Sequence, residues 1–80
     1  MVRVRQVVPL AGHTLQLGFS DGSSGVVDVG PFLRGPVFEP LLRDRALFLA
    51  VRVDPVLGTL VWPNGADLDP DVLRSETRFA

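Results

Sequence analysis

The stretch "LVWPNGADLDPDVL", residues 60–73, contains the only Trp and the only Asn of the chain, together with three aspartates. It begins with strand-like alternation, continues with a Pro-Asn-Gly sequence typical of a tight turn, and reaches Asp69-Pro70, which is typical of a helix start. We therefore interpret it as an architectural joint, in which one strand ends, residues 63–65 reverse the chain and Asp69 caps a last helical turn.

This joint places two demands on the residues around it. The turn requires a positive φ at Asn64 or Gly65, which are the two residue types that tolerate that conformation best. After the turn, Leu68, Val72 and Leu73 are expected to fold back on the hydrophobic core.

Trp62 has two interpretations. Tryptophans are mostly buried, which favours a core position in which Trp62 closes the sheet. An exposed Trp62 would instead form, with Asn64 and Asp67, a surface of the composition found at binding hot spots. These three residues are therefore the candidate partner-binding surface, and an architectural role of the same segment is compatible with it.

Upstream of the joint, residues 2–10 alternate in the manner of a half-buried strand. The side chains on its apolar face are Val2, Val4, Val8 and Leu10. Gln6 interrupts this face, and Pro9 has no N–H to donate to a neighbouring strand. The sequence thus predicts a strand that lies at or near a sheet edge, or one that is bulged around Gln6.

Residues 15–19 and 26–29 also alternate, and they flank the turn sequence "DGSS" at 21–24. The residues predicted to share the core face are Leu15, Leu17, Phe19, Val27 and Val29. A strict two-residue loop would place Asp28 among the leucines, so the hairpin needs a loop of three residues or more, or a bulge.

Residues 36–50 change to helical spacing, with apolar residues three and four apart. These residues are Phe38, Leu41, Leu42, Ala46, Leu49 and Ala50. Pro36 suits a first helical position, but Pro40 would break a continuing helix, so two short helices are predicted, the second capped by Asp44.

A second hairpin is predicted around "PVLG". Its facing residues are Val51, Val53, Leu60 and Trp62. The whole pattern is typical of an α+β fold with a small, mostly antiparallel sheet, in the order β-β-β-α(α)-β-β with a short C-terminal helical turn. We expect residues 1–80 to form a single small domain.

The charge balance is almost even, with eight cationic residues against nine acidic ones and a formal net charge of −1. All eight cations are Arg, and Lys, Ile and Tyr do not occur, which indicates a GC-rich bacterial genome. There is no Cys, so disulfides, thiolate metal sites and a Cys nucleophile are excluded. No stretch has the character of a signal peptide or a membrane span, and we expect a cytoplasmic protein.

Two polar features could carry chemistry. His13 is the only His, but it lies in a predicted turn, where a solvated side chain is the common outcome. The second feature is the run of Asp67, Asp69 and Asp71. Its spacing resembles the opening of a calcium-binding loop, but Val72 and Arg78 stand where that loop requires Gly and Glu. A role at the helix start is favoured, and no catalytic residue, metal or cofactor is predicted.

Four longer motifs are distinctive. They are F-x-D-G at 19–22, V-D-V at 27–29, P-V-F-E-P-L at 36–41 and G-T-L-V-W-P-N-G-A-D-L-D-P-D-V-L at 58–73. Together they resemble a bacterial family known only as domain-of-unknown-function family 2442, over about residues 2–75. The resemblance implies a compact α+β domain and no established catalytic residues. Some relatives also carry a helix-turn-helix domain, for which a chain that ends at Ala80 has no room, so a role on DNA would need a partner.

Two classes of function stay open. The first is a non-enzymatic protein-interaction or regulatory module that binds through residues 62–71 or through an open sheet edge. Members of the family often lie beside another small gene, which implies a paired, toxin–antitoxin-like system whose partner is the neighbouring protein; a homo-oligomer is a further option. The alternative is a small ligand- or metal-binding domain, catalytic or not, that uses His13 and the three aspartates.

We expect the isolated chain to bind DNA only weakly and with strong salt dependence. Clusters of cations bind the phosphate backbone by releasing counterions, and the sequence contains no run of basic residues. Arg3, Arg5 and Arg52 form at most a thin stripe against nine acidic residues. A gel-shift titration on duplex DNA tests this, and a tight, sequence-selective complex at physiological salt would contradict it.

Overall fold

The structure, a computed structural model that describes residues 2–80, has the predicted α+β architecture with two antiparallel sheets. The first sheet consists, in spatial order, of β1 (Val4–Pro9), β2 (Thr14–Phe19), β3 (Ser24–Asp28) and β7 (Arg78–Phe79). The second sheet consists of β4 (Arg52–Val53), β5 (Leu60–Val61) and β6 (Asp67–Leu68).

Four short helical segments accompany these sheets. They are a 3-10 turn at Gly30–Phe32 and the helices α1 (Glu39–Arg43), α2 (Arg45–Leu49) and α3 (Pro70–Glu76). The succession of three strands, helices and two strands confirms the predicted order, and β6 and β7 are additional two-residue strands. Within residues 2–80 every helix is too short or too polar to cross a membrane.

The β2–β3 hairpin has the register that the alternation predicts. Leu15 lies opposite Val27, and both are buried. The N–H of Phe19 donates to the carbonyl of Ser23 at 2.8 Å and closes a loop longer than two residues. Gly22 supplies the positive φ of this loop, at 87°. The predicted longer loop is therefore confirmed.

β1 is an edge strand and is bulged, as the sequence indicates. Its pairing with β2 shifts between Val4 and Gln6, so the side-chain alternation changes phase along the strand. Val4 is buried and Val7 packs against the core, whereas Val8 is 50% exposed. The predicted inward positions of Val8 and Leu10 are therefore wrong.

Asp44 separates two short helices, as predicted. Its carboxylate accepts a hydrogen bond from the N–H of Leu47 at 3.1 Å and caps α2. α1 begins at Glu39 and holds Pro40 in its first turn, where no N–H is needed, so the predicted start at Pro36 is wrong.

The apolar residues at helical spacing do not all face the core. Leu41 and Phe48 are fully buried, but Leu42 and Leu49 are about half exposed. Each helix is only five residues long, and the two meet at the extended backbone of Asp44. One continuous apolar stripe therefore cannot run across both helices.

Both sheets and all three α-helices contribute to one hydrophobic core. Its buried residues are Val4, Leu15, Leu17, Phe19, Val27, Val29, Leu33, Leu41, Phe48, Leu60, Trp62, Ala66, Leu68 and Leu73. Trp62 is only 2% exposed, and its indole N–H donates to the carbonyl of Phe48 at 3.1 Å. Trp62 thus occupies the core position and joins the second sheet to α2.

The turn in the joint forms as the sequence predicts. Gly65 adopts the required positive φ, at 90°. The side-chain amide of Asn64 donates to the carbonyl of Val37 at 2.8 Å and accepts from the N–H of Ala66 at 3.1 Å. Asn64 therefore ties the turn to the segment that precedes α1.

The residues after this turn return to the core only in part. Leu68 and Leu73 are buried as expected, but Val72 is 40% exposed. α3 turns Pro70 and Leu73 inward, which are three residues apart, and a residue between them lies on another side of the helix. The predicted inward position of Val72 is therefore wrong.

Replacing Trp62 by Ala should lower the free energy of unfolding by about 3–5 kcal/mol, because it empties an aromatic site in the core. Urea titration followed by circular dichroism measures the change. Val56→Ala is the control, since Val56 is 74% exposed, and it should change stability by less than about 0.5 kcal/mol. A Trp62→Ala variant as stable as the parent would contradict the core position.

Candidate functional site

Burial separates the three residues of the candidate partner-binding surface. Trp62 lies inside the core and cannot contact a partner in this conformation, so its place on that surface is corrected. Asn64 is exposed, but both ends of its amide hold the turn. Asp67 is exposed on β6 and belongs to a pocket with two further aspartates.

His13 is a packing residue at the turn between β1 and β2. Its ring meets the Phe48 ring edge-on, with centroids 5.0 Å apart and an interplanar angle of 88°. Its backbone carbonyl accepts a hydrogen bond from Val29 at 2.9 Å. His13 does not line the pocket of the three aspartates, so the structure does not bring these groups together in one site.

Asp67, Asp69 and Asp71 line a common cavity at the start of α3, which we term the acidic pocket. Its lining residues are Leu57, Thr59, Asp67, Asp69, Pro70 and Asp71, and its volume is about 320 Å³. β6 supplies Asp67, and the other two aspartates flank Pro70. The remaining lining comes from the connection between β4 and β5.

None of these three carboxylates has a cationic partner within residues 2–80. The ion pairs of this part of the chain are Arg43–Glu39 and Arg74–Asp21, and both lie outside the pocket. Asp69 occupies the N-cap position of α3, as predicted, but its side chain makes no capping hydrogen bond. The pocket therefore keeps its full complement of unneutralised acidic groups.

Thr59 also lines this pocket, but its hydroxyl oxygen is closed off from solvent and has no hydrogen-bond partner within residues 2–80. The residue is 7% exposed, and its Oγ1 has no hydrogen-bond partner among the described residues. A buried hydroxyl without a partner is destabilising, because it has lost its hydrogen bonds to water and has formed none within the protein. The hydroxyl of Thr77, which is equally buried, donates to the carbonyl of Leu73 at 2.6 Å. Of these two buried hydroxyls, only that of Thr59 lacks a hydrogen-bond partner within residues 2–80.

Asp54 fixes the loop that carries Leu57 to the acidic pocket. Its carboxylate accepts hydrogen bonds from the backbone N–H groups of Val56 and Leu57, at 2.9 and 3.1 Å. These bonds, with that of Leu57 the larger cause, and the nearby charge of Arg52 hold the pKa of Asp54 below its usual value. Folding therefore favours the charged carboxylate, and this form stabilises the loop.

A second candidate surface is the solvent-facing side of the first sheet, here termed the outer face. Cross-strand pairing aligns one row across all four strands, formed by Val8, Gln16, Val26 and Arg78. Val8, Val26 and Leu10 are all at least 37% exposed. Sequence reasoning missed this surface because the bulge in β1 turns Val8 and Leu10 outward, against the apparent alternation.

One end of the outer face opens into a cavity of about 560 Å³. Apolar contact is offered there by Val26 and Phe32, and charge by Asp28, Glu76 and Arg78. No ion pair joins these three charged side chains within the described chain. A concave, partly apolar surface with a few charged groups is the usual form of a binding site.

The chain folds as a small α+β domain with two antiparallel sheets. It presents two candidate surfaces, the acidic pocket and the outer face. The family described as "Protein of unknown function (DUF2442)" matches residues 4–79, which is nearly the whole chain. The chain therefore belongs to the DUF2442 family, and the resemblance inferred from its motifs is confirmed. Searches of curated proteins and of solved structures found no match.

Asp44 and Asp69 provide a matched pair of N-cap residues, of which only Asp44 makes the capping hydrogen bond. Asp44→Ala should lower the free energy of unfolding by about 1 kcal/mol. Asp69→Ala should cost about 0.3 kcal/mol, through the helix dipole alone. Urea titrations of both variants measure the difference, and equal losses would show that the Asp69 side chain caps α3 in solution.

Asp54→Asn should destabilise the protein at neutral pH and match the parent in acid. A lowered folded-state pKa adds stability that is fully present above the unfolded-state value, near 3.8, and is lost as the pH falls through the folded-state pKa. Urea titrations of parent and variant between about pH 7 and pH 2 measure this. A difference in unfolding free energy that stays constant over this range would contradict the role of the charge.

Proposed function

We propose that this chain is a non-enzymatic protein-interaction module that binds a partner protein through its outer face. The observation that carries the proposal is the group of exposed aliphatic side chains beside the larger cavity, above all Val8 and Val26. The solvated side of an antiparallel sheet normally presents polar residues at these positions. Val8 and Val26 lie on either side of Gln16 in one cross-strand row, so a single partner surface can contact both.

The residues at the outer face indicate which side chains a partner segment must offer. Val26 and Phe32 give apolar contact to one aliphatic or aromatic anchor, as at the centre of many protein interfaces. Asp28 and Glu76 place two negative charges around that anchor against the single positive charge of Arg78. A segment that carries a basic residue next to an apolar one complements this rim.

The partner in this proposal is the protein of the neighbouring gene, in a paired, toxin–antitoxin-like system. Support comes from the family resemblance, which implies such gene pairs. The module then acts by occupying and so regulating its partner. The proposed setting is the cytoplasm of a GC-rich bacterium, which is consistent with a chain of eight Arg, no Lys and no Cys.

Co-expression with the neighbouring protein, followed by measurement of the dissociation constant, tests the proposal. Val26→Glu should weaken the complex about tenfold or more, because it brings a carboxylate into the apolar contact. Val56→Glu makes the same change on an exposed loop away from the outer face and should leave binding at the parental level. Circular dichroism melts establish that both variants are folded.

Three outcomes would contradict the proposal. One is that no complex forms with the neighbouring protein, and another is that Val26→Glu binds it as tightly as the parent. The third concerns the isolated chain, whose mass in solution is measured by light scattering. If the parent is a dimer and Val26→Glu is a monomer, the outer face joins two copies of this chain and does not serve a different partner.

A further inference from the structure

We infer that the Asn64-Gly65 dipeptide is a latent modification site, at which Asn64 deamidates once its turn opens and which the folded turn protects. This inference goes beyond the proposed function and does not involve the outer face. It rests on three hydrogen bonds that hold the reacting groups of an otherwise exposed turn.

The reaction needs only water and the two residues themselves. The backbone nitrogen of Gly65 loses its proton to hydroxide and attacks Cγ of Asn64, so a new N–C bond closes a succinimide ring. The bond from Cγ to Nδ2 then breaks, and the amide nitrogen takes up a proton from water and leaves as ammonia. A second water molecule opens the ring at either carbonyl, which yields aspartate or isoaspartate at this position. The net change is the uptake of water and the loss of ammonia.

The sequence and the exposure of the turn both favour this chemistry. Gly65 has no side chain to hinder the approach of its nitrogen to Cγ, and its backbone is freer than that of any other residue. Asn64 and Gly65 are both exposed. Its chain neighbours aside, no atom of residues 2–80 lies within 4 Å of the position that a Cβ on Gly65 would take. Water therefore reaches the turn, and burial does not protect it.

The nucleophile is held by a hydrogen bond. The backbone N–H of Gly65 donates to the carbonyl of Trp62 at 3.1 Å, and this N–H carries the proton that must leave before the nitrogen can attack. The N–H of Trp62 in turn donates to the carbonyl of Ala66 at 2.9 Å, so both bonds belong to the same closed turn. Because Trp62 is anchored in the core, the release of the Gly65 N–H requires this turn to open.

The electrophile is held at both ends of its amide. Nδ2 of Asn64 donates to the carbonyl of Val37 at 2.8 Å, and Oδ1 accepts from the N–H of Ala66 at 3.1 Å. Attack converts the planar amide into a tetrahedral centre, which moves Oδ1 and Nδ2 relative to each other. Both hydrogen bonds must therefore stretch or break before the ring can close. The bond to Val37 also retains the nitrogen that has to leave.

Neither product fits the closed turn. Aspartate carries an oxygen in place of Nδ2, 2.8 Å from the carbonyl oxygen of Val37, so two acceptors face each other where a hydrogen bond stood. Isoaspartate routes the main chain through Cγ and so lengthens it before Gly65. The φ of 90° at Gly65 and the bond from Trp62 to Ala66 belong to a turn of normal backbone length. Either product therefore weakens the link between the turn and the segment that precedes α1.

The site makes prolonged unfolding irreversible. In the folded chain the reaction waits for an opening of the turn, whereas in the unfolded chain Asn64 and Gly65 are free to react. A chemical change confined to the unfolded state removes molecules from the folding equilibrium. A domain of 80 residues has a small stability margin, so this route is open to it. Asn64 thus limits the time for which an unfolded copy can still refold.

Intact-mass spectrometry of the full chain during incubation at mildly alkaline pH measures the reaction. Asn64 is the only Asn, and Gln reacts more slowly because its ring is larger, so an early exchange of NH2 for OH reports this residue. The reference is a blocked peptide of residues 60–68, which lacks Val37 and the core. The folded chain should deamidate about tenfold or more slowly than the peptide, because hydrogen bonds on both reacting groups must open first. Equal rates would overturn the inference.

The same chain unfolded in guanidinium chloride is the matched control. Its deamidation rate should rise to that of the peptide in the same solution, since the three hydrogen bonds are then absent from both. Between these limits the rate should follow the unfolded fraction, which circular dichroism measures in parallel. A rate that does not increase when the chain unfolds would contradict protection by the folded turn.

Asn64→Asp reproduces one product and tests its effect on the fold. Its melting temperature should fall by about 4–8 °C, the effect of one lost hydrogen bond in a domain of this size. Gln16→Glu makes the same exchange of amide for carboxylate at an exposed position of β2, and it should melt within about 3 °C of the parent. An Asn64→Asp variant that melts with the parent would overturn the inference that deamidation disables the turn.

Discussion

The contact between Trp62 and α2 is the interaction on which the arrangement of the two sheets depends. The indole N–H meets the carbonyl of Phe48 at 3.1 Å inside the core, and the two rings lie 6.2 Å apart. The Phe48 ring also contacts His13, which lies in the turn between β1 and β2 of the first sheet. Phe48 of α2 thus contacts residues next to both sheets, and a buried indole without its acceptor would destabilise this junction.

Arg74 has the corresponding role at the other end of the molecule, where it fixes α3 to the β2–β3 hairpin. Its guanidinium lies 3.2 Å from the carboxylate of Asp21 and stacks over the rings of Phe19 and Phe79, at 4.9 and 5.1 Å. Hydrogen bonds from Ser23, assisted by the charge of Arg74, lower the pKa of Asp21. Because α3 is held in this way, the aspartates at its start have a defined position beside the second sheet.

The sequence predicts those parts of the fold that follow local rules. The β2–β3 register could be predicted, because a slip of one residue would bury Asp28. The break between α1 and α2 could also be predicted, because Asp44 is a good N-cap residue. The sequence indicated a bulge around Gln6 as one option, but it did not predict that Val8 would then turn outward, since the effect of a bulge depends on what the strand meets and Val8 stays in an apparently regular alternation. The two-residue strands β6 and β7 likewise form only because tertiary contacts bring them to a sheet.

The acidic pocket shows why the candidate site was harder to predict than the fold. Asp69, Pro70 and Asp71 agree with every local preference of a helix start, so the sequence assigns them an architectural role. Whether the Asp69 carboxylate and the Thr59 hydroxyl form hydrogen bonds depends on the tertiary structure. In the structure Asp69 makes no capping hydrogen bond to α3, and the Thr59 hydroxyl has no partner among the described residues. Departures from local consistency concentrate at functional sites. Both departures become visible only once the folded chain places Asp69 and Thr59 at the same pocket.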